Sequence, residues 1–232
     1  MAKTSKAMKK SYEAVDRNTV YSIADAVKTL KASAKGRKFD EQIEIAINTS
    51  ADPKHADQIV RGTIELPHGT GKTVRVAVMA VDAKADEAKA AGADIVGSDE
   101  LADMIKAGDM NFDRLIATPD MMPKVGQLGK ILGPKGMMPN PKLGTVTMDI
   151  KKAVESAKAG SLEYRAEKAG IIHAGLGRAS FDEAKIIENV MAFITTIKKA
   201  RPSGVKGTYI NKITLTSTMG PGIKIDLESL VA

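Results

Sequence analysis

The chain has 232 residues, no cysteine, 43% hydrophobic content and a formal net charge of +7, with a pI near 9.4. Disulfides and thiolate metal sites are therefore excluded, and an aromatic content of 3% with no Trp weighs against single-strand binding on stacked aromatic platforms. The opening MAKTSKAMKK lacks the apolar core of a secretion signal, and no apolar run nears the roughly eighteen residues of a membrane span, so a cytoplasmic protein without a membrane partner is expected.

Ser22 to Ser33 reads as an amphipathic helix, with Ile23, Val27 and Leu30 at helical spacing, Ser22 as N-cap and Asp25 placed for a capping box. Phe39 to Thr49 alternates: Ile43, Ile45 and Ile47 point one way, Gln42, Glu44 and Asn48 the other, which is a strand with one wet face. A second strand, Val60 to Leu66, ends at Pro67. One helix and two strands cannot close a core alone.

The middle of the chain changes character. Val74 to Val81 is a largely apolar run, Asp82 to Ala91 is helix-forming, Ile95-Val96 is short and apolar, Ser98 to Ala107 is helical with Gly108 as its stop, and Arg114 to Ala117 is extended. That order is βαβαβ, the pattern of a parallel sheet covered by helices. Gly126 to Met148 combines glycines, Pro134, Pro139, Pro141, Lys130, Lys135 and Lys142 without a carboxylate, and reads as an irregular cationic loop rather than helix or strand. A helix from Asp149 to Ala159 stops at Gly160.

After Gly160 the half-exposed style returns. Leu162 to Ala166 and Gly170 to His173 read as short strands, and Ser180-Phe-Asp-Glu183 as a capping box opening a helix striped by Ile187, Val190, Ile194 and Ile197. Tyr209, Ile213 and Leu215 alternate with Lys212, Thr214 and Thr216 in a strand from Thr208 to Ser217, and Ile223 to Leu227 makes a last strand. The expected fold is an α+β split domain, residues 1–67 and 160–232, interrupted by an inserted α/β Rossmann-like domain, residues 68–159. The split segments together carry 22 Lys+Arg against 16 Asp+Glu, the insert 13 against 12, so the positive excess belongs to the split domain.

Gly69-Thr-Gly-Lys-Thr73 ends like a phosphate loop, but the first glycine of that motif falls at Leu66 and a strand follows where a helix is required. His55, His68 and His173 lack metal-ligand spacing, and no Ser/His/Asp arrangement assembles locally. No enzyme, cofactor, metal or small-molecule substrate is expected; the competing reading is a nucleotide- or sugar-phosphate-binding enzyme built on the insert. Thr216-Ser-Thr-Met-Gly-Pro221 reads either as a hydroxyl-rich edge strand and turn or as a surface whose hydroxyls and open backbone reach ribose 2′-hydroxyls, and Met219, an apolar residue at such a tip, tips the balance slightly towards the second.

The run Gly129-Lys-Ile-Leu-Gly-Pro-Lys-Gly-Met-Met-Pro-Asn-Pro-Lys142 resembles the signature of the large-subunit ribosomal protein L-one family, bacterial type, and Asp57-Gln-Ile-Val-Arg-Gly-Thr63, Leu66-Pro-His-Gly-Thr-Gly-Lys72 and Thr216 to Pro221 agree with it. The resemblance spans nearly the whole chain. It implies the same split fold, a place in the large ribosomal subunit, and a mobile stalk that binds rRNA and moves with the deacylated tRNA leaving the exit site. It further implies that free protein binds its own mRNA as a translational repressor. Carried over by position, the RNA contacts are Lys38, Phe39, Gln42, Glu44, Lys168, Thr216, Thr218, Met219 and Gly220; family relatives tend to place a small hydroxyl residue where Gln42 stands. Lys212 replaces what is often a small polar residue and is a further phosphate candidate; for both Lys168 and Lys212 the alternative is a solvated surface charge. Pro67, Gly69 and Gly160 are hinge candidates at the two chain crossings, and Lys130, Lys135 and Lys142 belong to a loop that is a hinge, a tRNA or rRNA contact, or a structural turn.

Overall fold

The computed structural model describes residues 6–16, 19–81 and 83–227. In chain order the elements are α1 (Lys6–Glu13), α2 (Ile23–Ala34), β1 (Gln42–Thr49), β2 (Arg61–Glu65), β3 (Val76–Met79), α3 (Ala83–Ala90), β4 (Ile95–Gly97), α4 (Asp99–Ala107) and β5 (Arg114–Ala117). They continue with α5 (Met122–Gln127), α6 (Gly129–Leu132), α7 (Ile150–Lys158), β6 (Ser161–Arg165), β7 (Ile171–Arg178), α8 (Glu183–Lys199), β8 (Ile210–Ser217) and β9 (Ile223–Ile225). The chain is a mixed α/β protein that divides into two compact units, one holding the chain up to Gly71 and from Leu162 onward, the other Lys72–Ser161.

In the unit built from both chain ends, an antiparallel sheet runs in the order β7-β1-β8-β9. Strand alternation sets its two faces. Ile43, Ile45 and Ile47 of β1, Ile172, Ala174 and Leu176 of β7, and Ile213 and Leu215 of β8 are buried in one core with α2 and α8. The Ser22 side chain caps α2 by accepting from the Asp25 amide at 3.2 Å. From α8, Ile186, Val190, Phe193, Ile194 and Ile197 are buried, each stabilising the fold by about 1.5–3 kcal/mol relative to exposure. Phe193 meets Tyr164 edge to face at a ring separation of 5.9 Å.

Two readings of this unit need correction. The first turn of α8 has Asp182, not Ser180, at its N-cap, and no side chain caps it. Ser180 is instead drawn to Asp40: its amide donates to Oδ1 at 3.0 Å and its hydroxyl to Oδ2 at 2.7 Å. A carboxylate brought in by tertiary packing thus outcompetes the local cap. Strand β7 also runs on to Arg178, past His173, because Gly175 and Gly177 do not break it. They admit neighbours: a Cβ on Gly175 would collide with the Gln42 amide, and one on Gly177 would press the Phe181 ring at 3.2 Å.

In the other unit, β3 is the centre of a parallel sheet ordered β4-β3-β5. Helices cover both faces. Val76, Val78 and Ile116 pack with Ala88 of α3 and with Ile150 and Val154 of α7, while Ala77, Met79 and Leu115 pack with Leu101 and Ile105 of α4 and with Val125 and Leu132. Gly108 ends α4 at φ 89°, a left-handed conformation that L side chains resist. The cationic segment is more ordered than its composition suggests. α6 and a 3-10 turn, Pro141–Leu143, lie within Gly126 to Met148, and the last residues of α5 overlap its start. Leu128, Ile131 and Leu132 recur at helical spacing, and Leu128, Leu132 and Leu143 are buried, so packing overrides the glycine content.

The boundaries of the compact units fall a few residues later than expected at each crossing. Asn189, fully buried on α8, accepts from the His68 amide at 3.2 Å and donates to the Gly69 carbonyl at 3.0 Å, which keeps residues 68–69 on the first unit. The Arg114 guanidinium grips the Ser161 hydroxyl and, at 2.6 Å, its carbonyl, which keeps Ser161 on the second.

Candidate nucleic-acid interface

The face of the four-stranded sheet opposite the helices is polar. In register across β1 and β8, Glu44 stands beside Thr216, Ala46 beside Thr214 and Asn48 beside Lys212; across β1 and β7, Glu44 stands beside Gly175 and Ala46 beside His173. Glu44, His173 and Lys212 are exposed, the others half-buried, and Lys224 of β9 is opposite Thr214. Small residues at the centre leave this surface low, so a ligand could lie along it and meet donors and acceptors at either side.

At one end of β1 the chain builds a raised rim. The Ser217–Gly220 turn closes with the Gly220 amide donating to the Ser217 carbonyl at 3.0 Å. Thr218 is stitched to β1, its amide donating to the Gln42 carbonyl at 3.1 Å and its hydroxyl accepting from the Gln42 amide at 3.0 Å. Thr216 donates to the Ser217 carbonyl at 3.0 Å. Met219 stays 44% exposed at the tip, and Phe39, 53% exposed with Lys38 beside it, precedes β1 at the same end. Two large apolar side chains held in solvent next to a lysine suit a partner with stacking faces and phosphates.

Seven of the residues singled out from sequence, Lys38, Phe39, Gln42, Thr216, Thr218, Met219 and Gly220, gather at this end of the sheet, with Glu44 two positions into β1. Lys168 does not join them. It occupies the Glu167–Gly170 turn, whose Gly170 carbonyl receives the Thr49 amide at the far end of β1. Eight residues of strand separate the two ends by about 23 Å, so only an extended ligand reaches both. Gln42 lies against Gly175, which has no side chain to exclude it. His173, Thr214 and Lys224 share the open face beyond the site residues that the sequence indicates; strand parity marks Thr214, but the face of a strand as short as β9 cannot be read without its register.

In the second unit Lys130, Lys135 and Lys142 are exposed, as is Met138. No helix follows Gly69-Thr-Gly-Lys-Thr73; β3 begins at Val76, so the segment lacks the helix N-terminus that a phosphate loop needs. His68 pairs with Glu188 at 2.5 Å and His173 with Glu167 at 3.6 Å. Among the described residues no group of three or more His, Asp or Glu could hold a metal ion, and no helix is long and apolar enough to cross a membrane.

An antiparallel sheet with one open polar face and a raised rim bearing two exposed apolar side chains is a surface suited to a macromolecular partner. A family model described as the ribosomal protein L1p/L10e family matches residues 30–221, and the chain belongs to that family. It is accordingly a structural ribosomal protein that binds rRNA in the large subunit, in the cytoplasm, and its family is non-enzymatic.

Proposed function

We propose that the unit built from both chain ends is the rRNA-binding domain and that Lys72–Ser161 is an inserted, Rossmann-like domain carried at the end of a mobile stalk. The observation that supports this most directly is the clustering of the rim. Lys38, Phe39, Gln42, Glu44, Thr216, Thr218, Met219 and Gly220 come from two segments about 170 residues apart in sequence, yet β1 and β8 set them side by side. Phe39 and Met219 would pack on sugar or base, Thr216 and Glu44 would exchange hydrogen bonds with 2′-hydroxyls or exocyclic amines, and Lys38, Lys168 and Lys212 would neutralise phosphates. Lys168, at the far end of β1, then reads as a contact to a second stretch of the same folded RNA.

Within this reading the inserted domain swings about the crossings at Gly71 and Ser161, with Gly160 beside the second, while Pro67 and Gly69, expected as hinges, belong to the first unit, where Asn189 holds residues 68–69; the exposed Lys130, Lys135 and Lys142 meet the departing deacylated tRNA. Free protein would occupy a matching fold in its own mRNA and repress translation. Titration of deproteinised large-subunit rRNA over a range of salt tests the interface. Binding should weaken steeply, by about 0.9 in log K per log salt for each phosphate contacted on a duplex-like estimate. A flat salt response, or equal affinity for unstructured poly(U), would count against it. A reporter bearing the leader of the protein's own mRNA tests repression: overexpression should lower its output, and Met219→Ala should relieve that.

A further inference from the structure

Glu41 is an anomaly in the rim. Its side chain is 1% exposed, yet it is a carboxylate, and burying a charge is costly unless another group compensates. Its Oε1 lies 3.3 Å from the Arg37 Nε, and its Oε2 accepts from the Met219 amide at 3.5 Å. The Arg37 guanidinium, itself mostly covered, reaches the Met219 carbonyl at 3.5 Å and the Ser11 hydroxyl of α1 at 3.4 Å. One ion pair therefore touches both the amide and the carbonyl of the residue at the tip of the turn. Below that tip, Ser217 is buried, its hydroxyl without a hydrogen-bond partner among the described residues, and a Cβ on Gly220 would collide with it; the Thr216 and Thr218 hydroxyls bond the flanks of the turn, whereas the peptide groups of Met219 at its tip are met by the ion pair.

From this we infer that Arg37 and Glu41 are positioning residues for RNA binding: a buried ion pair that presets the Ser217–Gly220 turn so that Met219 and Thr216 meet RNA already in place. The inference rests on the rRNA-binding reading of the rim. Preorganisation of this kind lowers the ordering cost of association without adding a contact. Arg37 is then a cation at an RNA interface that does not bind phosphate, a distinction that salt dependence can measure.

The test uses the full chain, deproteinised large-subunit rRNA and the variants Arg37→Met, Arg37→Lys, Glu41→Gln, Met219→Ala and Lys38→Ala. Arg37→Met and Glu41→Gln should each raise Kd tenfold or more, mainly through faster dissociation, and speed hydrogen exchange at the Met219 and Gly220 amides. Their salt slope should match the wild type, whereas Lys38→Ala should lower it by about 0.9. Arg37→Lys should recover part of the affinity. A slope lowered by that amount in Arg37→Met would make Arg37 a phosphate ligand and overturn the proposal, as would wild-type exchange at both amides. Should Glu41→Gln fail to fold, Arg37→Met carries the same readouts. If the wild type and Met219→Ala bind rRNA equally, the reading of the rim fails, while exchange in the Arg37 and Glu41 variants still decides whether the pair sets the turn.

Discussion

Thr218 and Gln42 share three hydrogen bonds, Thr218 amide to Gln42 carbonyl at 3.1 Å, Gln42 amide to Thr218 hydroxyl at 3.0 Å and Thr218 hydroxyl to Gln42 carbonyl at 3.4 Å, so the threonine continues the β1–β8 ladder one residue past its end. Its hydroxyl stabilises the protein before any RNA arrives.

Thr218→Val should therefore cost stability as well as RNA affinity, about 0.5–1.5 kcal/mol in urea denaturation, because it strands the Gln42 amide without its acceptor. Thr218→Ser should keep both within error. Were Thr218→Val as stable as the wild type while losing affinity, the hydroxyl would act on RNA alone.

Glycines in and beside the same sheet should respond unequally. Gly170→Ala faces φ +74° and backbone oxygens of Ala51 at 2.6 Å and Thr49 at 3.1 Å, neither of which can yield, and should lose about 1–3 kcal/mol. Gly175→Ala meets only the far end of the Gln42 side chain, which can rotate away. Its unfolding midpoint should change little, and any effect should appear in RNA binding.

These two glycines also show how far the sequence could be read. Apolar alternation in β1 and β8 was enough to predict the buried and the open faces, and the turn after Thr216 was visible as a hydroxyl- and glycine-rich end. Registers were not legible. Nothing in Gly175 or Gly177 signals that a strand continues through them, because their reason is a neighbour from another segment. The same applies to Ser180, whose local capping pattern yields to Asp40, and to Leu128 and Leu132, whose helical spacing was masked by the surrounding glycines and prolines. Asn189 was hidden in an apolar stripe, since its partners at His68 and Gly69 lie about 120 residues away.

Asp94 accepts from the Val76 amide at 2.8 Å and lies 3.4 Å from Lys158. The amide, and after it the lysine, hold its carboxyl below the ordinary value of 3.8. A depressed pKa stabilises the fold above the unfolded value and ceases to do so as pH falls through the folded one. Asp94→Ala should be less stable than the wild type at pH 7, and the gap should narrow below about pH 4. Thermal unfolding across pH 2–7 checks this; a gap independent of pH would assign the loss to packing.

Tyr209 is buried, and its hydroxyl finds no hydrogen-bond partner among the described residues. Burial, reinforced by the nearby Tyr164, pushes its pKa up to about 12 from 10.0. The folded state thus holds the phenolic proton, and stability should fall as pH rises from 10 towards 12. Tyr209→Phe should remove that alkaline loss and be neutral or slightly stabilising at pH 7, since it deletes an unpaired polar atom. An equal alkaline decline in both proteins, followed by circular dichroism, would refute the assignment.

The placement of β1 between β7 and β8 has a consequence for biosynthesis. When Thr49 leaves the exit tunnel, the strand that will pair with its first edge begins 122 residues later, at Ile171. At about 5–20 residues per second, this strand, apolar on one face, waits roughly 6–25 s with both edges bare. Meanwhile β3, β4 and β5, whose partners all lie within one continuous stretch, can pair as they emerge. The nascent chain therefore carries an unfinished, aggregation-prone strand ahead of a folded globule, and residues 42–49 should be the segment that most needs cover until synthesis reaches β7.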